Sequence, residues 1–168
     1  MTDKPTTSDS ATLIVPLPDE AATRAFGAAL APHLRRGDFI ALTGDLGAGK
    51  TALARALIQA RFGPGGEDED VPSPTFTLVQ TYETPDLLIT HADLYRLDDP
   101  QDVRELGLNE ALDEGALLME WPDKWSAPPT TRLDIVLSLV GKEAREARLT
   151  GYGGWAARLK QLSSSLKP

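Results

Sequence analysis

Cysteine is absent from the 168 residues, so neither a disulfide nor a thiolate metal site can form. No apolar run approaches the roughly 18 residues that a membrane-spanning helix needs. The opening stretch MTDKPTTSDSATLIV lacks the charged-then-apolar order of a secretory leader. A cytoplasmic protein without a membrane partner is expected. Positive charge is also scarce. Lys and Arg number 17 against 25 Asp and Glu, a formal net charge of -8. Phosphates repel such a chain, so it is a poor nucleic-acid binder alone. In an RNA pathway another subunit should hold the RNA. No internal repeat occurs.

What is present suffices for one core, with 41% hydrophobic residues over the length of an ordinary domain. Residues 1–10 are polar and are expected to be disordered, with a single domain over 11–168. ATLIVPL reads as an extended segment. Asp19 can cap a helix that runs to about Ala31, with Ala22, Phe26, Ala29 and Leu30 on its apolar face. DFIALTG is short and almost unbroken in its apolarity, as a buried parallel strand requires. A helix from about Lys50 to Ala60 follows, with Leu53 and Leu57 inward. TLVQTYE and LLITHADL, joined by TPD, suggest an antiparallel pair. DPQDVRELGLNEALDE reads as one or two short helices broken near Gly107. GALLMEW is another buried strand. RLDIVLSLV and AREARLTGY form a second hairpin, and GWAARLKQLSSSL closes as a helix. The expected fold is a P-loop NTPase-like α/β sandwich with helices on both faces. Its sheet should be parallel at the centre, with antiparallel hairpin additions at one side.

GDLGAGKT, residues 44–51, matches the pattern G-x-x-x-x-G-K-[ST] between a strand and a helix. Gly44, Gly47 and Gly49 free the backbone to approach phosphate oxygens, and Asp45, Leu46 and Ala48 complete the loop. Lys50 is placed to reach β- and γ-phosphates, and the Thr51 hydroxyl to ligate Mg²⁺. A nucleoside triphosphate is the expected ligand. Its magnesium needs an acidic partner at the same sheet edge. Glu120 ends the apolar run ALLM, and Asp93 ends LLITHA. Glu120 has the cleaner metal-supporting setting. Asp93 could face the nucleotide from a loop, to orient the attacking water or hold the metal shell.

In VPSPTFTLV, Pro72 and Pro74 stiffen a loop that displays Thr75 at a strand entrance. A loop hydroxyl there suits a sensor of the γ-phosphate and Mg²⁺. The preceding run Glu67–Asp70 reads as a solvated, flexible acidic loop. His91 reads as a structural hydrogen-bond partner before a general base. Arg96 could neutralise phosphate or pair with an acid. Trp121 and Trp125 could stack on a base, though packing is their commoner use.

The N-K-x-D element of guanine-specific GTPases does not occur, nor does a long arginine-rich lid of the kind small-molecule kinases carry. A compact ATPase with its own switch loop remains. Two other classes stay open: a small-molecule kinase with Asp93 as base, and a nucleotide-gated binding module with negligible turnover.

The blocks GDLGAGKT, SPTFTLV, HADLYRL and EW, in that order, resemble the TsaE family, formerly called YjeE. The resemblance covers roughly residues 15–150. It implies a small ATPase needed to make threonylcarbamoyladenosine at position 37 of tRNAs that read codons starting with A. It implies partners TsaD and TsaB, with the transfer step on TsaD and tRNA met only through the complex. ATP and Mg²⁺ follow as cofactors. Lys50 would bind phosphate, Thr51 and Glu120 would hold the metal, Asp93 would support hydrolysis, and SPTF would act as a switch. The family's first helix comes near the adenine, which here implicates Thr23 in PLPDEAAT. Two departures stand out: the acidic GPGGEDED stretch and the tail GYGGWAARLKQLSSSLKP.

Overall fold

The protein's computed structural model describes residues 10–166. The disorder expected for residues 1–10 therefore falls almost wholly outside the described residues, and Ser10 itself opens the first strand. Seven strands, β1 (Ser10–Leu17), β2 (Phe39–Thr43), β3 (Val79–Glu83), β4 (Leu88–Asp93), β5 (Ala116–Glu120), β6 (Leu133–Leu139) and β7 (Arg145–Tyr152), form one sheet. Their order is β1-β7-β6-β2-β5-β4-β3. The four central strands β6, β2, β5 and β4 run parallel. Antiparallel pairs flank them on both sides, β3 against β4 and β7 against β6 and β1. The expectation of antiparallel strands at one side is thus corrected. Both predicted hairpins exist, but they lie at opposite edges, and β1 joins β7 across nearly the whole chain.

Five helices cover the sheet: α1 (Glu20–Leu30), α2 (Lys50–Arg61), α3 (Pro100–Arg104), α4 (Leu108–Glu114) and α5 (Gly154–Leu166). Side-chain alternation along β2 shows how both faces are filled. Ile40 and Leu42 join the cluster under α1, α2 and α5, with Phe26, Leu53, Leu57, Trp155 and Leu159. Phe39 and Ala41 face the other way, toward Val103 of α3, Leu108 of α4 and Trp125. An almost unbroken apolar strand is the signature of burial on both sides.

Local chemistry sets the helix ends. The Asp19 carboxylate accepts from the Ala22 N–H at 2.8 Å and caps α1. α1 ends at Leu30, and Pro32 sits in a 3₁₀ turn over Ala31–His33. Gly27 allows α1 to lie directly on α2, since a Cβ there would meet Ala56 Cβ at 2.6 Å. The acidic run is solvated but not free. The chain just after its 3₁₀ turn, Gly66–Asp68, is tied to α2, where Gln59 Nε2 donates to the Glu69 carbonyl at 3.0 Å and Arg55 Nε to the Val71 carbonyl at 2.9 Å.

Candidate nucleotide site

Three parallel strands end at one sheet edge, and residues at or next to their ends pair. Leu42 pairs with Glu120, and Glu120 pairs with Asp93. The loop after β2 carries the glycines, and α2 begins at Lys50 with Gly49 as its N-cap. Gly49 has a φ of 103°, a conformation that side chains other than glycine rarely adopt.

The Thr51 hydroxyl donates to the Glu120 carboxylate, 2.9 Å from Oε1 and 3.0 Å from Oε2. Glu120 is only 3% exposed, and on its far side Oε2 lies 2.8 Å from His91 Nε2. His91 is fully buried, and its Nδ1 has no hydrogen-bond partner among the described residues. It serves as the structural hydrogen-bond partner expected of it.

Asp93 is buried and ends β4 itself, so it does not reach the site from a loop. Its Oδ1 accepts from the Tyr95 N–H at 2.9 Å, and its Oδ2 from the Thr75 hydroxyl at 3.2 Å. Ser73 Oγ lies 2.7 Å from the same hydroxyl. Thr75 is not at a strand entrance. It occupies a turn closed by the Leu78 N–H on the Pro74 carbonyl at 2.7 Å, and β3 begins only at Val79. Leu78 takes a positive φ of 70° to make that turn.

Lys50 is 5% exposed. Its ammonium donates to the carbonyls of Gly44 at 2.5 Å and Asp45 at 3.0 Å, and lies 4.5 Å from the centre of the Trp121 ring. Burial pulls its pKa below the ordinary lysine value, opposed by the nearby carboxylates of Glu120, Asp93 and Asp45. Trp121 holds a φ of 59°, a strained conformation for so bulky a residue. Its ring rests against Tyr95 with centroids 4.9 Å apart.

These groups line one cavity of about 280 Å³. Of the predicted residues it gathers Leu46, Gly47, Gly49, Lys50, Thr51, Thr75, Asp93 and Glu120. It also gathers Trp121, offered by the sequence for stacking on a base, and adds Ala52 and Tyr95. Gly44, Asp45 and Ala48 line a neighbouring groove along β6. Thr23 is not brought to the cavity; it is buried in α1. Trp125 packs edge-on against Phe39 in the core, and the Arg96 guanidinium lies 5.0 Å from the Phe76 ring centre. Tyr95 stood inside the quoted HADLYRL block without being singled out. Arg145, whose Nη2 donates to the Gly47 carbonyl at 3.0 Å, gave no sequence signal at all.

Among the described residues no three histidine or carboxylate side chains gather to hold a metal ion. The Thr51–Glu120 pair nevertheless suits magnesium. That ion keeps several waters and takes most of its remaining ligands from phosphates, so one or two protein oxygens are enough.

The family model described as threonylcarbamoyl adenosine biosynthesis protein TsaE matches residues 17–147. The chain belongs to the TsaE family. A TsaE relative from Rickettsia bellii is 39% identical over 135 residues, covering 80% of this chain and 92% of the relative. One from Bacillus subtilis is 35% identical over 133 residues, covering 78% and 80%. Both carry the name tRNA threonylcarbamoyladenosine biosynthesis protein TsaE. The crystal structure of Bacillus subtilis YdiB superposes with a TM-score of 0.73 at 27% identity, over 94% of this chain and 98% of that one. The P-loop NTPase-like fold, with nucleotide binding, follows for this TsaE chain. Its place is in tRNA threonylcarbamoyladenosine biosynthesis. α5 lies beyond the span matched by the family model.

Proposed function

We propose that this chain is a Mg²⁺-dependent ATP hydrolase with weak turnover alone, acting through TsaD and TsaB on tRNAs that read codons starting with A. One observation carries the reading. The hydroxyl of the loop's Thr51 donates to a buried carboxylate 69 positions later, Glu120, inside the cavity that also holds Lys50 and Asp93. Residues so far apart in sequence converge where a triphosphate and its metal would need them.

In this reading the loop N–H groups and the positive end of α2 receive the phosphates. Lys50 exchanges its two carbonyl partners for phosphate oxygens, and the added negative charge restores the proton affinity that burial lowers. Thr51 and Glu120 would hold magnesium, which supplies charge neutralisation across the β- and γ-phosphates. Asp93 orients the attacking water. Its carboxylate is already fixed by Thr75 and the Tyr95 N–H, so little reorganisation is needed. Thr75, held by Asp93, would sense the γ-phosphate, and departure of that phosphate on hydrolysis would release the SPTF turn. The protein is taken to act in the cytoplasm; no described helix is long and apolar enough to cross a membrane.

The test is phosphate release from ATP by the full chain, alone and with purified TsaB–TsaD, without any small-molecule acceptor. Slow release that rises with the pair is expected. ADP formed only on addition of an acceptor, with the phosphoryl group carried by that acceptor and no free phosphate, would make the protein a kinase. No release in either condition would leave a binding module.

A further inference from the structure

A basic side chain from the far end of the sequence crosses the phosphate loop without lining the cavity. Arg145 opens β7, 98 positions after Gly47. Its Nη2 donates to the Gly47 carbonyl at 3.0 Å, and its Nη1 to the Glu143 carbonyl at 3.0 Å. The guanidinium is therefore fixed at both ends. Between them the side chain passes over Gly49, with Cδ and Nε 3.2 Å from where a Cβ on Gly49 would stand. Nε is buried there with no hydrogen-bond partner among the described residues. Inside the loop, the Ala48 N–H donates to the Asp45 carbonyl at 3.0 Å. The peptide unit joining Gly47 to Ala48 is thus held at its C=O by Arg145 and at its N–H by Asp45.

We propose that Arg145 is a positioning residue that braces the phosphate loop in its anion-receiving shape, so that nucleotide affinity depends on it from outside the cavity. The inference rests on the nucleotide-site reading above. A glycine-rich loop has much backbone freedom to lose on binding. A peptide plane held at both ends cannot turn, because the unit is rigid. Arg145 is suited to this work because its planar fork makes two directed bonds where an ammonium is a point charge. A loop ordered beforehand spares the ligand that ordering. Such a brace acts on ground-state binding, so ATP and ADP should feel it alike. An arginine that stabilised the transferring phosphoryl group would show in kcat and not in ADP affinity.

The experiment compares the wild-type chain with Arg145→Ala and Arg145→Lys. Four quantities are read: ATP and ADP dissociation constants by calorimetry, kcat at saturating ATP, amide hydrogen exchange of peptides spanning 44–51, and thermal melting. Arg145→Ala should raise both dissociation constants about tenfold and speed exchange in the loop, with kcat at saturation and melting near wild type. Arg145→Lys should fall between, since one ammonium replaces one of the two bonds. Unchanged affinity and exchange would overturn the inference. So would a loss confined to kcat, or faster exchange across the whole sheet with a matching fall in melting temperature. If the wild type binds neither nucleotide, the nucleotide-site reading fails, and the exchange comparison still decides whether the brace exists.

Discussion

Two backbone carbonyls and an indole ring hold the Lys50 ammonium, but burial opposes its charge in the folded chain, so the net loss of folding energy on removing it should be small. Lys50→Ala should therefore abolish productive ATP binding or hydrolysis without unfolding the protein. A charge-assisted contact to phosphate is worth on the order of 10²-fold or more in affinity. Calorimetry with ATP and a thermal melt, run together, check this; wild-type affinity in the variant would remove Lys50 from the site. The pH dependence follows from the direction of its shift. Burial lowers the folded-state pKa of Lys50, so the unfolded chain holds that proton more tightly. Stability from this group should rise with pH through the window between the lowered value and the ordinary 10.5. The variant should lack that rise. The two carboxylates should separate. Glu120→Gln should weaken magnesium-dependent nucleotide binding, because the metal shell loses a ligand or its support. Asp93→Asn should spare binding and lower turnover. Titration of Mg²⁺ against a fluorescent ATP analogue distinguishes them, and a reversed pattern would exchange the roles.

At the scale of elements, α5 is secured by one ion pair. Arg158 makes two bonds to Asp38, Nη1 to Oδ2 at 2.6 Å and Nη2 to Oδ1 at 2.8 Å, with both residues buried. Arg158→Ala should destabilise the fold by ~3–5 kcal/mol, because the buried Asp38 loses its charged partner and keeps only the Arg35 N–H. Urea unfolding measures this, and a loss below about 1 kcal/mol would place the pair among weak surface bridges. How much of this architecture the sequence revealed depends on how local each cause is. The strand-loop-helix around Lys50 was legible because glycine spacing and apolar periodicity lie within one short window. Glu120 and Asp93 were legible because each closes an apolar strand on the edge where the loop must lie. The pairing of β1 with β7 was not, since nothing near ATLIVPL encodes a partner at Arg145–Tyr152. Thr75 was placed at a strand entrance because the turn at Pro74–Leu78 needs a positive φ at Leu78, a residue with no turn preference. Trp121 was named as a possible stacking residue, but its strained backbone and its contact with Lys50 come from tertiary packing and could not be read. Arg145 reaches the loop only through the β6–β7 hairpin.

For the molecule as a whole, a formal charge of -8 gives few cations to displace the counterions of RNA. The isolated chain should show little tRNA affinity at physiological salt, by filter binding across a salt series, and tight binding would defeat the division of labour with TsaD and TsaB. The SPTF turn and the end of β4 border the cavity, so the surface they share should differ between nucleotide states. The TsaB–TsaD pair should bind the ATP form more tightly by about 1–3 kcal/mol. Affinity measured with ADP and with a non-hydrolysable ATP analogue checks this, and equal values would end the switch reading. The edge pairing of the sheet has a consequence for synthesis. β1 leaves the ribosome long before its strand partner β7. Until then Leu17, and the face of α1 with Phe26 and Leu30, lack β7 and α5, which complete their cluster. The nascent chain must carry that apolar surface uncovered until β7 and α5 emerge. Chaperone contact during synthesis, and sensitivity of yield to elongation rate, are the expected cost of the same connection that lets Arg145 reach the phosphate loop.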